Sequence, residues 1–396
     1  MAGGEEELKN IPIGEIGIIA LPGCEELAKR ISDFLYDRRA QIDDENIGKI
    51  CFDGFVKKNY CIDVEISRFG TGEAKAVIKH SVRGLDLYII CDMFNYGITF
   101  EMYNKSVMMC PDAHYANLKR VISAIGGKAR KVTVVMPMLY EGRQHRRATR
   151  ESLDCATALQ ELCNFMHVDN IITFDAHDSR VQNAIPLSGF ENVMPVYQMI
   201  KALVNNVPDL KIDKEHLMII SPDEGAMSRS IYYSTVLGVD LGMFYKRRNY
   251  AVVEKGRSPI VAHEFLGDNV KGKDCVVVDD MISSGESTLE VASKLMEMKA
   301  NRVFICVGFG LFCNGLEKYD AAYQAGIISK VFTTNLIYRS PELLSREWYC
   351  EVDLAKYIAL IVDTLNHEDS VSCLLDPVDR INKFLISRGF KAAAET

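Results

Sequence analysis

The chain has 396 residues, 48% of them hydrophobic and 25% charged, with a formal net charge of −8. These values predict a globular protein of about two domains, and the acidic balance excludes a global basic field for holding nucleic acid. No apolar run approaches the roughly 18 residues of a membrane span, and the acidic start MAGGEEELKN lacks the basic and apolar regions of a secretory signal. A cytoplasmic protein without a membrane or nucleic-acid partner is therefore expected. The twelve cysteines show no CxxC pair and no regular spacing. They read as reduced, mostly buried thiols rather than a disulfide framework.

In chain order, short apolar runs alternate with segments of helical period. IGIIALPG (16–23), DLYIICD (86–92), KVTVVMPML (131–139) and NIITFDAHD (170–178) form a first set. LMIISPDEG (217–225), DLGMFYKRR (240–248), DCVVVDDM (274–281), RVFICVGFG (302–310) and KVFTTNLIY (330–338) form a second. Several are rich in Val and Ile without polar alternation, as expected of strands buried on both faces of a parallel sheet. ESLDCATALQELCNFM (151–166) predicts a helix with Leu153, Ala156, Leu159, Leu162 and Cys163 on one face. STLEVASKLMEMK (287–299) predicts another, with Leu289, Ala292, Leu295 and Met296, and Ser287 followed by Glu290 spells a capping box. The stretch 94–114 has no clear period and reads as a loop or local insertion, and the segments 350–366 and 376–388 read as helices without strands. Alternating strands and helices predict an α/β fold. The alternation runs twice, before and after about residue 193. Two domains are expected, 11–192 and 193–349, with C-terminal helices 350–390 joining the first.

Polar groups gather where the apolar runs end, in DAHD, SPDEG, YKRR, VDDM and YEGRQHRR. Ligands of open parallel sheets bind outside the carboxyl ends of the strands, so these endings point to one crevice or to two facing ones. VVVDDMISSGEST (276–288) is the most informative of them. A Ser/Gly loop entering a helix offers backbone amides and the positive dipole end to a phosphate. The paired acids would repel a phosphate, but they suit vicinal sugar hydroxyls or Mg²⁺. Together they imply a phosphorylated polyol with a metal nearby, although a capped helix with solvated acids explains the same letters. RQHRRATR and KRR are likewise readable as solvated basic faces or as loops that meet polyphosphate. The stretch 249–259 reads as a loop able to close as a lid.

The stretch 276–288 resembles the phosphoribosyl-pyrophosphate (PRPP) binding motif. RFGTGEAKAVIKHSVRG (68–84), GRQHRR (142–147), FDAHDSRVQ (174–182), SPDEGAMSR (221–229), YKRR (245–248) and DSVSCLL (369–375) resemble, in order, segments of ribose-phosphate pyrophosphokinases. The resemblance implies two phosphoribosyltransferase-like domains, each with a mainly parallel sheet flanked by helices. The first would be the ATP side and the second the ribose 5-phosphate side. It implies Mg²⁺-dependent transfer of the diphosphoryl group of ATP to the C1 hydroxyl of ribose 5-phosphate, giving PRPP and AMP.

Carried over residue by residue, the resemblance implies that Asp279 and Asp280 hydrogen-bond the ribose hydroxyls while Ser283, Ser284, Gly285 and Ser287 hold the 5-phosphate. Phe69 would stack on adenine, Glu73 would accept from the nucleotide, and Arg143, Gln144 and His177 would contact ATP. His177 and Asp223 would serve the Mg²⁺. Lys246 and Arg248 would be the catalytic cations, with Arg247 assisting. The Phe69 segment would come from a neighbouring subunit, which implies a homo-oligomer, a hexamer in the family, with a shared active site. The chain departs from the family pattern at Thr71 and His145, where Asp is common. It departs again at Ser283, Ser284 and Ser287, where Asp, Thr and Thr are usual, and at Glu286, where a small residue is common. The departures at Thr71, His145, Ser283 and Glu286 motivate a second expectation, a non-catalytic homologue that binds nucleotide and regulates an active synthetase. A phosphoribosyltransferase sharing only the PRPP loop ranks third.

Overall fold

The computed structural model describes residues 11–45, 54–248 and 260–391. The chain divides into two compact units, the first holding residues 1–194, 335–338 and 353–376, and the second holding 195–334, 339–352 and 377–396.

The first unit opens with β1 (Ile16–Ala20), α1 (Glu25–Glu45), β2 (Val64–Arg68), β3 (Ala74–Ile78) and β4 (Asp86–Ile90). It continues through β5 (Thr99–Met102), β6 (Lys105–Met108), α2 (Pro111–Ile125), β7 (Lys131–Val135), α3 (Asp154–Gln160), β8 (Asn170–Phe174) and β9 (Gly189–Val193). A five-stranded sheet has the order β1-β4-β7-β8-β9 and is parallel throughout. β4 and β8 are buried along their whole length, which is why they read as unbroken apolar runs. β2 pairs with β3 and β5 with β6 as two antiparallel hairpins. The second replaces the expected loop in 94–114. Its strands are only four residues each, too short and too polar to show a period.

Leu153 is the N-terminal boundary of α3, and a π-helical turn, Glu161–Phe165, follows that helix. The buried set is Cys155, Ala158, Leu159, Leu162 and Cys163, the i, i+3, i+4, i+7, i+8 spacing of one helix face, while Leu153 and Ala156 of the expected face are only half-buried. The thiols of Cys24 and Cys91 are buried and pushed up by that burial, as packing cysteines are.

The second unit begins at α4 (Val196–Asn206), then β10 (Leu217–Ser221), α5 (Met227–Leu237), β11 (Asp240–Arg248), β12 (Ile260–Leu266) and β13 (Asp274–Ile282). α6 (Glu286–Glu297), β14 (Arg302–Gly310), α7 (Glu317–Gln324), β15 (Lys330–Thr334), α8 (Pro341–Leu344) and β16 (Tyr349–Val352) complete the alternation. Seven strands lie in the order β12-β11-β10-β13-β14-β15-β16. All pairs are parallel except β11 with β12.

The C-terminal segments divide between the units. α9 (Ala355–Asn366) and α10 (Ser372–Leu375) belong to the first unit, whereas β16 and α11 (Val378–Ser387) belong to the second. This differs from a C-terminal tail of helices joined wholly to the first domain. The physical reason is that β16 completes the second sheet's edge on β15, and α11 buries Ile381 and Leu385 within the second unit. α9 is locked onto α1 by a buried ion pair. Arg39 Nε donates to Asp363 Oδ1 at 2.7 Å, Arg38 Nε donates to Asp363 Oδ2 at 2.8 Å, and Arg39 and Asp363 are both fully buried. Among the described residues no helix is long and apolar enough to cross a membrane.

Candidate active site

In the second unit β13 does not stop at its acids. It runs on to Ile282, with Asp279 opposite Val307 and Ile282 opposite Gly310 of β14. The bend Ser283–Gly285 follows, and α6 starts at Glu286. Gly285 takes φ 80°, in the left-handed region that glycine allows. A Cβ there would lie 2.5 Å from Tyr319 Cε2 and 2.8 Å from its hydroxyl oxygen. The helix boundary is thus set by Gly285, and Ser287 lies inside the first turn, so the capping-box expectation gives way to a glycine-led entry. Thr288 is the buried polar residue of that turn. Ser284 is half-buried and Ser287 exposed. Ser283 is tied to the loop after β14, whose Cys313 amide donates to Ser283 O at 2.9 Å. The first amides of α6 have no intrahelical acceptors, as at every helix start, and they form with the bend the amide-lined end that suits a phosphate.

Asp280 is buried and Asp279 half-buried. The Asp280 amide donates to Asp279 Oδ1 at 2.9 Å. Burial, with Asp280 and Asp223 repelling it, raises the Asp279 carboxyl well above the usual range, while the Asp280 amide and Arg229 oppose the rise. Arg229 Nη1 stands 4.0 Å from Asp279 Oδ1 and is mostly buried. The residue carried no assignment in the sequence. One signal was available, because a cation in the first turn of α5 runs against the helix dipole and needs local acids to hold it. Asp223 shapes the loop between β10 and α5. Its Oδ1 accepts from the Gly225 amide at 2.9 Å and the Ala226 amide at 3.3 Å.

Glu286 is exposed and pairs with Lys318 Nζ at 2.7 Å. That partner, 32 residues downstream, lowers the Glu286 carboxyl and answers the charge that a carboxylate brings beside the bend.

In the first unit, Asp175, directly after β8, takes φ 42° although it is not glycine, and Glu141, on the turn that follows β7, takes φ 52°. Such conformations cost on the order of 1–3 kcal/mol and cluster at functional sites. They turn the chain at the carboxyl ends of neighbouring strands. His177 emerges exposed, its ring 5.3 Å from that of His145. His145 Nε2 stands 3.4 Å from Asp178 Oδ2, and its Nδ1 is buried without a partner. Asp178 accepts from Arg180 Nε at 2.9 Å, and that guanidinium holds its carboxyl down to about 2. Asp178 is therefore a scaffold acid, which the sequence did not distinguish from its neighbours in DAHD. Arg143 and Gln144 lie exposed on the turn after β7, where the Gln144 amide donates to Glu141 O at 2.8 Å.

Phe69 and Glu73 sit at the tip of the β2–β3 hairpin. Phe69 is 56% exposed. Its amide donates to Glu73 O at 2.8 Å, and the Thr71 hydroxyl donates to Glu73 Oε2 at 3.0 Å.

Lys246, Arg247 and Arg248 occupy the end of β11, opposite His263, Ala262 and Ile260 of β12, with a register shift between Arg247 and Arg248. Their side chains, and residues 249–259 for which the sequence predicts a closing loop, lie outside the described residues. His177 belongs to the first unit and Asp223 to the second. Among the described residues no three His, Cys, Asp or Glu side chains form a ready metal cage. That is compatible with Mg²⁺, which usually takes one or two carboxylates and completes its shell with water and substrate phosphates. The donors present suit it. Asp223, Asp279 and Asp280 offer hard oxygens, and the repulsion raising Asp279 is what a divalent cation relieves.

Two family models match the chain: the N-terminal domain of ribose phosphate pyrophosphokinase over residues 16–165, and a phosphoribosyl transferase domain over 189–335. Among curated relatives, the ribose-phosphate pyrophosphokinase of Pasteurella multocida is 28% identical over 357 residues, covering 88% of this chain and 95% of its own. That of Haemophilus influenzae is 26% identical over 368 residues, covering 91% and 99%. Among solved structures, the phosphoribosylpyrophosphate synthetase of Mycobacterium smegmatis matches with a TM-score of 0.69 at 18% identity, covering 89% of this chain and 98% of that one. That likeness concerns the fold.

Proposed function

Because the chain belongs to the ribose-phosphate pyrophosphokinase family, we propose that it transfers the diphosphoryl group of ATP to the C1 hydroxyl of ribose 5-phosphate, giving PRPP and AMP. The observation that carries this reading is the β13–α6 junction. Two acids, one buried and one half-buried, precede a bend whose Gly285 opens the amide end of α6. Asp279 and Asp280 accept from the ribose hydroxyls, and the bend with Ser283, Ser284, Gly285 and Ser287 holds the 5-phosphate. Arg229 holds charge beside Asp279, which keeps an acid available as an acceptor.

On the nucleotide side, Phe69 stacks on the base and Glu73 accepts from the nucleotide. Arg143, Gln144 and His177 meet the phosphates. Asp223, with His177 by resemblance, serves Mg²⁺, which when bound neutralises phosphate charge. Lys246 and Arg248 stabilise charge on the bridging and β-phosphate oxygens. A loose phosphoryl-type transition state asks mainly for such positioning and charge. ATP and ribose 5-phosphate are the substrates, the assembly is a homo-oligomer with shared sites, and the compartment is the cytoplasm.

The Glu286–Lys318 pair supports a working phosphate loop over a regulatory one, since it offsets the departure that most threatened phosphate binding. The test is turnover by the purified chain alone, in parallel with ATP, GTP and CTP. AMP formation that requires ribose 5-phosphate and Mg²⁺ is expected. Nucleotide binding or co-assembly without turnover would favour the non-catalytic reading instead.

A further inference from the structure

The β5–β6 hairpin has no part in the proposed reaction, yet it is joined to the β2–β3 tip at three points. Arg68, the last residue of β2, lies over the Phe100 ring at 4.1 Å, a cation–π contact. The same guanidinium donates to Gly72 O at 2.9 Å and to Asn117 Oδ1 of α2 at 3.1 Å. One side chain thus closes the tip, rests on the second hairpin and is anchored in a helix. The Tyr103 amide donates to Gly70 O at 2.9 Å. Gly72, at φ 93°, marks the third point, where a Cβ would lie 2.7 Å from Met102 Sδ.

The turn of the second hairpin is shaped for this joint. Tyr103 at φ 50° and Asn104 at φ 58° form the two-residue turn with both φ positive that matches strand twist. Asn tolerates that region, but Tyr does so rarely. The Tyr103 amide is the one that reaches Gly70, so backbone strain falls at the junction of the two hairpins. The tip held in this way presents Phe69 and Glu73, with the Glu73 carboxylate steadied by Thr71.

We propose that the β5–β6 hairpin is a brace that positions the Phe69–Glu73 tip for the nucleotide, with Phe100 and Tyr103 as positioning residues. This rests on the reading in which Phe69 and Glu73 meet the nucleotide.

The test combines steady-state kinetics of the full chain with amide hydrogen exchange of residues 68–74, in F69A, F100A and the double variant. F100A is expected to raise the KM for ATP about tenfold while kcat and the KM for ribose 5-phosphate stay within about twofold. It should also speed exchange of the tip, and F100Y, which keeps a ring under Arg68, should restore both. In the F69A background, F100A should change the KM for ATP by less than about twofold, because both act through one contact. Met102→Ala supplies the same readouts if F100A does not fold. Unchanged exchange of the tip in F100A overturns the brace, as do additive effects on KM. If F69A raises the KM for ATP and F100A does not, the brace fails while the nucleotide reading stands. If F69A leaves that KM unchanged although F100A loosens the tip, the nucleotide reading fails and the proposed role of the brace fails with it.

Discussion

Asp279 and Asp280 are adjacent, and burial separates their surroundings. Asp280 is enclosed, while Asp279 is half-buried beside Arg229 and carries the raised carboxyl. The sign of that shift gives a stability prediction. A carboxyl whose folded value is raised binds its proton more tightly in the folded state, so stability falls as pH rises from the ordinary carboxylate range to about 8. D279N removes the ionisation. In metal-free buffer its melting temperature should exceed that of the parent by a margin that widens from pH 4 to pH 8 and then levels. A margin independent of pH would contradict the assigned environment. At the cationic end of β11, Lys246→Ala should lower kcat at least about a hundredfold, in line with the loss of one preorganised charge, with ribose 5-phosphate binding kept within about twofold. Wild-type turnover in that variant would remove Lys246 from the reaction.

At the scale of elements, the bend between β13 and α6 depends on one backbone angle. Gly285→Ala would force a Cβ into the left-handed region and against the Tyr319 ring. It should cost about 1–3 kcal/mol of stability and raise the KM for ribose 5-phosphate, checked by thermal melts and initial rates. The elements also mark what could be read from sequence. The nine apolar runs are all strands, because burial on both faces of a parallel sheet leaves continuous Val and Ile. The two hairpins and the strands β9, β12 and β16 were not legible. β2, for example, alternates half-buried and exposed positions in VEISR, and β16 is only four residues long. The acids and the Ser/Gly stretch were singled out from residue type alone. Arg229 and Lys318 were not, because their importance lies in partners that only the fold brings close, and Asp178 was not, because the fold alone sets it beside His145 as well as its neighbour Arg180.

At the scale of the whole molecule, each unit is completed by segments from distant parts of the chain. α9 returns more than 300 residues after α1, and Arg39, Asp363, Asn366 and Asp86 link α1, α9 and β4 through buried hydrogen bonds. Burial raises the Asp363 carboxyl, yet Arg39 and His367 outweigh it and the net shift is downward. Its contribution is therefore present above the ordinary carboxylate range and lost as pH falls through the lowered value. D363A leaves Arg39 buried and unpaired and should destabilise the first unit by about 3–5 kcal/mol, read as a lower urea midpoint and faster amide exchange in α1 and β4. The central claim concerns which bond of ATP is broken, and ³¹P NMR of the products from purified chain, Mg²⁺, ATP and ribose 5-phosphate tests it most directly. The account predicts AMP together with a sugar carrying a C1 diphosphate and a C5 phosphate. ADP with a singly phosphorylated C1, or no product at saturating substrates, would contradict it.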